Sequence, residues 1–177
     1  MAQFAVEQLI FLDESGATTQ MTRSYARAPR GQRVNEATPQ GHWQILTMLA
    51  TLTTRGLEAP MTIAEPTDGD IFLAYLEQVL CPRLRPGQVV IMDNLSAHKV
   101  AGVREQIEAT GARLIYLPPY SPDFNPIEQA WSKVKQILRS LKARTADALE
   151  AAVAEALAAI TSENAIAWFS HCGYSLR

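Results

Sequence analysis

Three acidic residues stand where a carboxylate could hold a metal ion. Asp13 closes the apolar run Leu9-Ile10-Phe11-Leu12 in LIFLDESG, and Asp93 closes Val89-Val90-Ile91-Met92 in VVIMDNLSAHK. Glu128 lies in LPPYSPDFNPIEQAW, where a proline-stiffened loop runs into a helical pattern, with 34 residues between it and Asp93. Three carboxylates in one cleft repel one another unless a divalent cation joins them, and such an arrangement suits metal-dependent phosphodiester cleavage.

Each acid also has a purely structural reading. Aspartate is common where a strand enters a turn, which would account for Asp13. Against that, Leu9, Phe11 and Asp13 alternate onto one face, so the carboxylate continues a core-facing row and needs a partner there. Asp93 falls at the carboxyl end of a parallel strand, where α/β sheets gather ligand-binding residues. Asn94 or Ser96 beside it suits a helix cap. His98 reads either as a polar residue at a helix start or as a group that orients a carboxylate or touches a phosphate. With Asn125 as N-cap, Pro126 would fall at the first helical position and Glu128 would be the glutamate of a capping box. The same helix carries Glu128, Ser132, Lys135, Arg139 and Lys142 along one line beside the apolar stripe Ile127, Trp131, Val134, Leu138 and Leu141. An acid followed by cations along one face suits a metal-bound phosphate with its backbone trailing along the helix.

The elements that would position these groups follow from the hydrophobic periods. Strands are expected over 4–12, 20–27 and 42–53, with Asp13-Glu14-Ser15-Gly16 as a turn and Gly56 opening another. Residues 57–65 are an edge or irregular strand because of Pro60. A helix over 69–80 stops at Pro82. Strand 88–92, helix 97–109 closed by Gly111, and strand 112–117 make a parallel β–α–β unit. Helices over 126–143, 146–161 and 163–171 finish the chain, the second with Leu149, Val153, Ala156, Leu157 and Ile160 on one side. Trp43, Trp131 and Trp168 read as core aromatics, and Tyr116 and Tyr120 as packing for the Pro118-Pro119 loop. The expected architecture is α/β: a mixed five-stranded sheet, antiparallel then parallel, flanked by helices. That order is similar to the ribonuclease-H-like fold, with a generic α/β sandwich as the alternative.

Its 177 residues suffice for one domain with a sizeable core, and 47% hydrophobic with 19% charged residues is ordinary for a globular protein. No apolar stretch approaches the about 20 residues of a membrane helix, and no basic-then-apolar leader opens the chain, which points to the cytoplasm. Cys81 and Cys172 lack metal or disulfide spacing. A net charge of −2 argues against nucleic-acid binding by bulk electrostatics. The cations are nevertheless local. Arg23, Arg27, Arg30 and Arg33 follow Asp13, and Lys133, Lys135, Arg139, Lys142 and Arg144 follow Glu128, either as a solvated face or as a DNA footprint.

Taken together, LIFLDESG, VVIMDNLSAHK, LPPYSPDFNPIEQAWSKVK and the terminal AWFSHCGY resemble the catalytic domain of mariner-related bacterial transposases, the insertion sequence 630 family, within the DDE superfamily endonucleases. The resemblance runs from about residue 6 to 174. It implies Asp13, Asp93 and Glu128 as the metal-binding triad, with Asn94, His98 and Asn125 as candidate supporting residues. Arg23, Arg27, Lys135, Arg139 and Lys142 are the DNA-contact candidates. It further implies two Mg²⁺ ions, replaceable by Mn²⁺, and two-metal cleavage of DNA at transposon ends followed by transfer of the freed 3′ end to target DNA. No side-chain nucleophile is needed. Helix-turn-helix domains that precede this part in relatives have no counterpart before Asp13. The resemblance therefore implies an upstream-encoded DNA-binding part, or a homodimer handling two ends, in a bacterial cytoplasm and on the nucleoid when DNA is bound. The competing readings are a stand-alone ribonuclease-H-like nuclease and a non-catalytic remnant that pairs with a full-length transposase.

Overall fold

The computed structural model describes residues 4–95, 97–119 and 121–174. Five strands form one sheet in the order β3-β2-β1-β4-β5. These are β1 (Leu9–Thr18), β2 (Ile45–Thr53), β3 (Gly56–Ile63), β4 (Val89–Met92) and β5 (Arg113–Tyr116). The first three are antiparallel, and β4 and β5 run parallel to β1. The mixed five-stranded sheet is thus as expected, but one strand is exchanged. Residues 20–27 form no strand: everything from 20 to 44 is irregular and almost wholly exposed, so no apolar face holds it to the sheet. Its place is taken by β3. The turn that separates β2 from β3 is Thr54-Arg55, and Gly56 opens the strand instead of the turn.

β3 is the edge strand that Pro60 foretold. Its pairing with β2 slips between Leu49 and Thr51, and Ala59 takes a positive φ of 49°. Side chains repair the bulge. Thr51 Oγ1 donates to Glu58 O at 3.0 Å, and the buried Tyr75 hydroxyl donates to Ala59 O at 2.9 Å.

Alternation along the strands feeds two cores. From β1 and β4, Leu9, Phe11, Val89 and Ile91 face the C-terminal helices α3 (Ile127–Leu141), α4 (Ala146–Ala158) and α5 (Ser162–His171). Leu12, Val90 and Met92 face the other layer, α1 (Gly69–Tyr75) and α2 (Val103–Ala109). Helix α1 continues past Leu80 through a π-helical turn (Leu76–Leu80) and a 3-10 turn (Cys81–Arg83), because Pro82, which has no N–H, is absorbed by a change of helical pitch. The helix expected from 97 begins only at Val103. Gly102, at φ 98°, interrupts it and leaves Ala97–Lys99 as a separate turn.

The three closing helices lie where the 3.6-residue period put them, and Thr145 and Thr161 cap α4 and α5. Trp131 is buried on α3 and Trp168 packs partly against the same core. Trp43 is 51% exposed, a correction to its expected burial: it stands in the irregular segment before β2. No helix among the described residues is long and apolar enough to cross a membrane.

Candidate active site

β1 does not end at Asp13. It pairs with β4 only from Leu9 to Leu12 but with β2 as far as Thr18. Asp13 is therefore the first β1 residue beyond the parallel ladder, where β1 and β4 part. The expected turn at Asp13-Glu14-Ser15-Gly16 is continuous strand, because β2 supplies partners that override local turn preference. Parity holds: Asp13 follows Leu9 and Phe11 and is 7% exposed. Its carboxyl is raised to about 7, chiefly by burial against the backbone hydrogen bond from Glu14, with the negative charges of Glu128 and Asp93 adding to the rise and His98 opposing it.

Asp93 follows β4 directly and is held more openly. Its Oδ1 accepts from His98 Nδ1 at 2.6 Å and from the Leu95 backbone N–H at 3.1 Å. Burial raises its pKa, yet the hydrogen bonds from His98 and the Leu95 N–H outweigh that and hold the carboxyl below its ordinary value. Asn94 stands beside it, half-buried, with no side-chain hydrogen bond among the described residues; Ser96 lies outside them. His98 itself is fully buried, its ring 4.6 Å from that of Phe72. It is neither a solvated helix-start residue nor a phosphate contact, since no part of it reaches solvent.

Glu128 opens α3 with an exposed side chain. The capping box is absent. Pro126 occupies the N-cap position without a side-chain cap, and Asn125 contributes its backbone carbonyl to Glu128 N–H at 3.2 Å. The Asn125 side chain is buried, with Oδ1 unpartnered among the described residues. Glu128 has no hydrogen bond or ion pair among them either, so its carboxylate is free for another role. The loop before it is anchored by a residue that sequence reasoning did not single out. Tyr174 packs on Phe11 at 5.2 Å between ring centroids and donates its hydroxyl to Phe124 O at 2.9 Å. The terminal AWFSHCGY block thereby ties the strand bearing Asp13 to the approach to Glu128. Tyr120 lies outside the described residues.

The three acids come from adjacent central strands and one helix start, and share an electrostatic field. As placed, no group of three or more His, Cys, Asp or Glu among the described residues is gathered closely enough to hold an ion. The donor set fits Mg²⁺ or Mn²⁺ in its chemistry. It is all oxygen, and a buried carboxyl whose ionisation is opposed by two other acids is what a cation would relieve. Among the basic candidates, Lys135 and Arg139 follow Glu128 on α3 and are unpaired among the described residues. Lys142 lies past the helix end at φ 54° and its ammonium engages Glu36. Arg144 donates to Thr19 O and Met21 O, at 2.8 and 3.0 Å, holding the start of the exposed segment that carries Arg23 and Arg27.

A family model described as DDE superfamily endonuclease matches residues 8–150. The chain belongs to that family. No curated protein matches it. As a DDE superfamily endonuclease it shares its fold with solved structures of Mos1 transposase. With a pre-cleavage Mos1 transpososome it is 14% identical at a TM-score of 0.75, covering 97% of this chain and 57% of that one. With the Mos1 mariner paired end complex with Mn the figures are 15%, 0.73, 95% and 52%. With the isolated catalytic domain of Mos1 mariner transposase they are 13%, 0.66, 95% and 76%. The likeness shows the fold, a ribonuclease-H-like domain, and the chain spans little more than half the length of the transposase in those complexes.

Proposed function

We propose that this DDE endonuclease domain is the catalytic part of a mariner-related transposase of the insertion sequence 630 type, cutting DNA at transposon ends and joining the freed 3′ ends to target DNA. The observation that carries the reading is geometric: a buried Asp13 on β1, Asp93 just past the end of the neighbouring parallel strand β4, and Glu128 at the start of α3, unpartnered among the described residues. The Asp13 carboxyl is raised mainly by burial and further by the charges of the other two acids. Acids that oppose one another's ionisation across three elements are the expected setting for a divalent cation. In this reading Asp13, Asp93 and Glu128 hold two Mg²⁺ ions, for which Mn²⁺ substitutes. When bound, the metal ions supply activation of the attacking oxygen and stabilisation of the departing 3′ oxygen.

The chain's own residues supply placement. Asp13 and Asp93 are fixed on neighbouring strands, and Glu128 projects from the start of α3. Lys135 and Arg139 continue along that helix as phosphate contacts, with Arg23 and Arg27 on the exposed segment as further ones. Sequence-specific recognition of transposon ends is assigned to a DNA-binding part outside these 177 residues, and pairing of two ends to a homodimer. The Mos1 complex with Mn supports the choice of cation.

The test is a cleavage and strand-joining assay with Mg²⁺ on a duplex carrying a transposon end, with the DNA-binding part restored. Nicked and joined products are expected from wild type and neither from Asp93→Asn nor Glu128→Gln. Undiminished nicking by either variant would overturn the triad. Nicking without joining would leave a nuclease and remove the transposase.

A further inference from the structure

Asp93 uses its two oxygens unequally. Oδ1 receives both available donors, the His98 ring at 2.6 Å and the Leu95 N–H at 3.1 Å. Oδ2 has no partner among the described residues, and the side chain is 34% exposed. One oxygen is saturated on the protein side, and the other is left with its lone pairs toward solvent.

The donor that does most of this is itself immobilised from three directions. Its ring lies against Phe72 of α1 at 4.6 Å and an interplanar angle of 32°. Its backbone carbonyl accepts the Tyr116 hydroxyl at 2.7 Å from the end of β5. The segment that carries it also closes on α1 so tightly that a Cβ on Gly69 would stand 2.8 Å from Val100 Cγ1. Since a carboxylate only accepts, Nδ1 must carry the proton. Nε2 is buried without a partner among the described residues, so none of them offers the ring a second group with which to relay a proton.

We infer that His98 is a positioning residue for the metal site: it fixes Asp93 through the Nδ1–H···Oδ1 bond and so presents Oδ2 as the cation ligand. The inference deepens the function proposed above and rests on it for the cation. Partners that orient a ligating group are typically worth about 10–100-fold in metal affinity.

The experiment is Mn²⁺ binding to the purified chain followed by electron paramagnetic resonance, on wild type, Asp93→Asn, His98→Phe and His98→Asn. Phenylalanine keeps the stack on Phe72 and removes the donor. Asparagine places an amide N–H near the position of Nδ1. Expected are Mn²⁺ binding at least about tenfold weaker in His98→Phe and restoration to within about threefold in His98→Asn, with circular-dichroism melts checking that both variants fold. Equal affinity in His98→Phe and wild type would overturn the inference, as would His98→Asn being as weak as His98→Phe, which would reduce the ring to packing. Imidazole ¹⁵N NMR gives a reading that needs no metal. Wild type should show the Nδ1–H tautomer and Asp93→Ala should lose it, whereas an Nε2–H tautomer in wild type would overturn the inference. Absent or unchanged Mn²⁺ binding in both wild type and Asp93→Asn would count against the metal site, and the tautomer would then decide the His98–Asp93 bond alone.

Discussion

The two strand-borne acids and the helix-borne one are held in opposite ways. Asp13 is buried on a central strand, and Asp93 is fastened at the end of the next strand by two donors. Glu128 stands exposed at the first turn of α3, with no side-chain partner among the described residues. Asp13 is held by its pairing with β2 and Asp93 by two donors just past the end of β4, whereas the start of α3 is located by its apolar stripe and by the Tyr174 bond to the loop before it. In the proposed site the strands thus supply the rigid half, and α3 supplies a carboxylate that is free to turn toward whatever binds there.

The sharpest way to break this contrast is to neutralise one acid on each side. Asp93→Asn and Glu128→Gln should each lower Mg²⁺-dependent cleavage at least about 10³-fold, measured in single-turnover assays. Their melting should differ. Asp93→Asn weakens a charge-assisted bond to a fully buried histidine and should cost about 1–2 kcal/mol, while Glu128→Gln should unfold with wild type. Equal destabilisation would erase the distinction. A second test loosens α3 while leaving its acid intact. Leu138, 2% exposed and nearly three turns beyond Glu128, should cost about 2–5 kcal/mol when changed to alanine, read by denaturant unfolding.

The strand acids should also be separable by pH. Asp13 has a folded pKa raised from 3.8 to about 7, so the folded state holds its proton longer than the unfolded chain. Without divalent cation, its contribution is most favourable below about 4 and is lost as pH rises toward 7, by up to about 4 kcal/mol. Asp93, whose pKa is lowered, contributes stability above its ordinary value of 3.8 that disappears only in more acidic solution. Metal-free melting from pH 3 to 8 should therefore flatten between pH 4 and 7 in Asp13→Asn. Added Mg²⁺ should flatten wild type in the same window. The smallest effect concerns the helix beyond Glu128. Lys135→Ala and Arg139→Ala should each weaken DNA binding similarly for all sequences and reduce the salt slope by about 1.

The positions of the two strand acids were legible because each closes an apolar run, Leu9–Leu12 and Val89–Met92. Alternation put Asp13 on the Leu9–Phe11 face, and that face is where it lies. The length of β1 was not legible, since Asp-Glu-Ser-Gly has turn chemistry and only pairing with β2, some 30 residues on, keeps it extended. Residues 20–27 failed for the converse reason: a passable strand composition with no neighbour to bury it. The burial of His98 had no local signal either. It depends on Phe72 from another helix and Tyr116 from another strand, contacts that a spacing rule cannot contain. The same holds for Tyr174, whose two partners lie far up the chain.

The bulge in β3 has a bearing on how the molecule behaves in a crowd. An open sheet edge invites a neighbouring copy to add its own strand and so begin an aggregate. Here Pro60 has no N–H to offer, the backbone kinks at Ala59, and that residue's carbonyl is already taken by Tyr75. At the opposite side of the sheet, β5 offers only the four residues Arg113–Tyr116. A chain whose net charge of −2 gives little mutual repulsion is thus kept from edge-to-edge polymerisation by the geometry of its outermost strands.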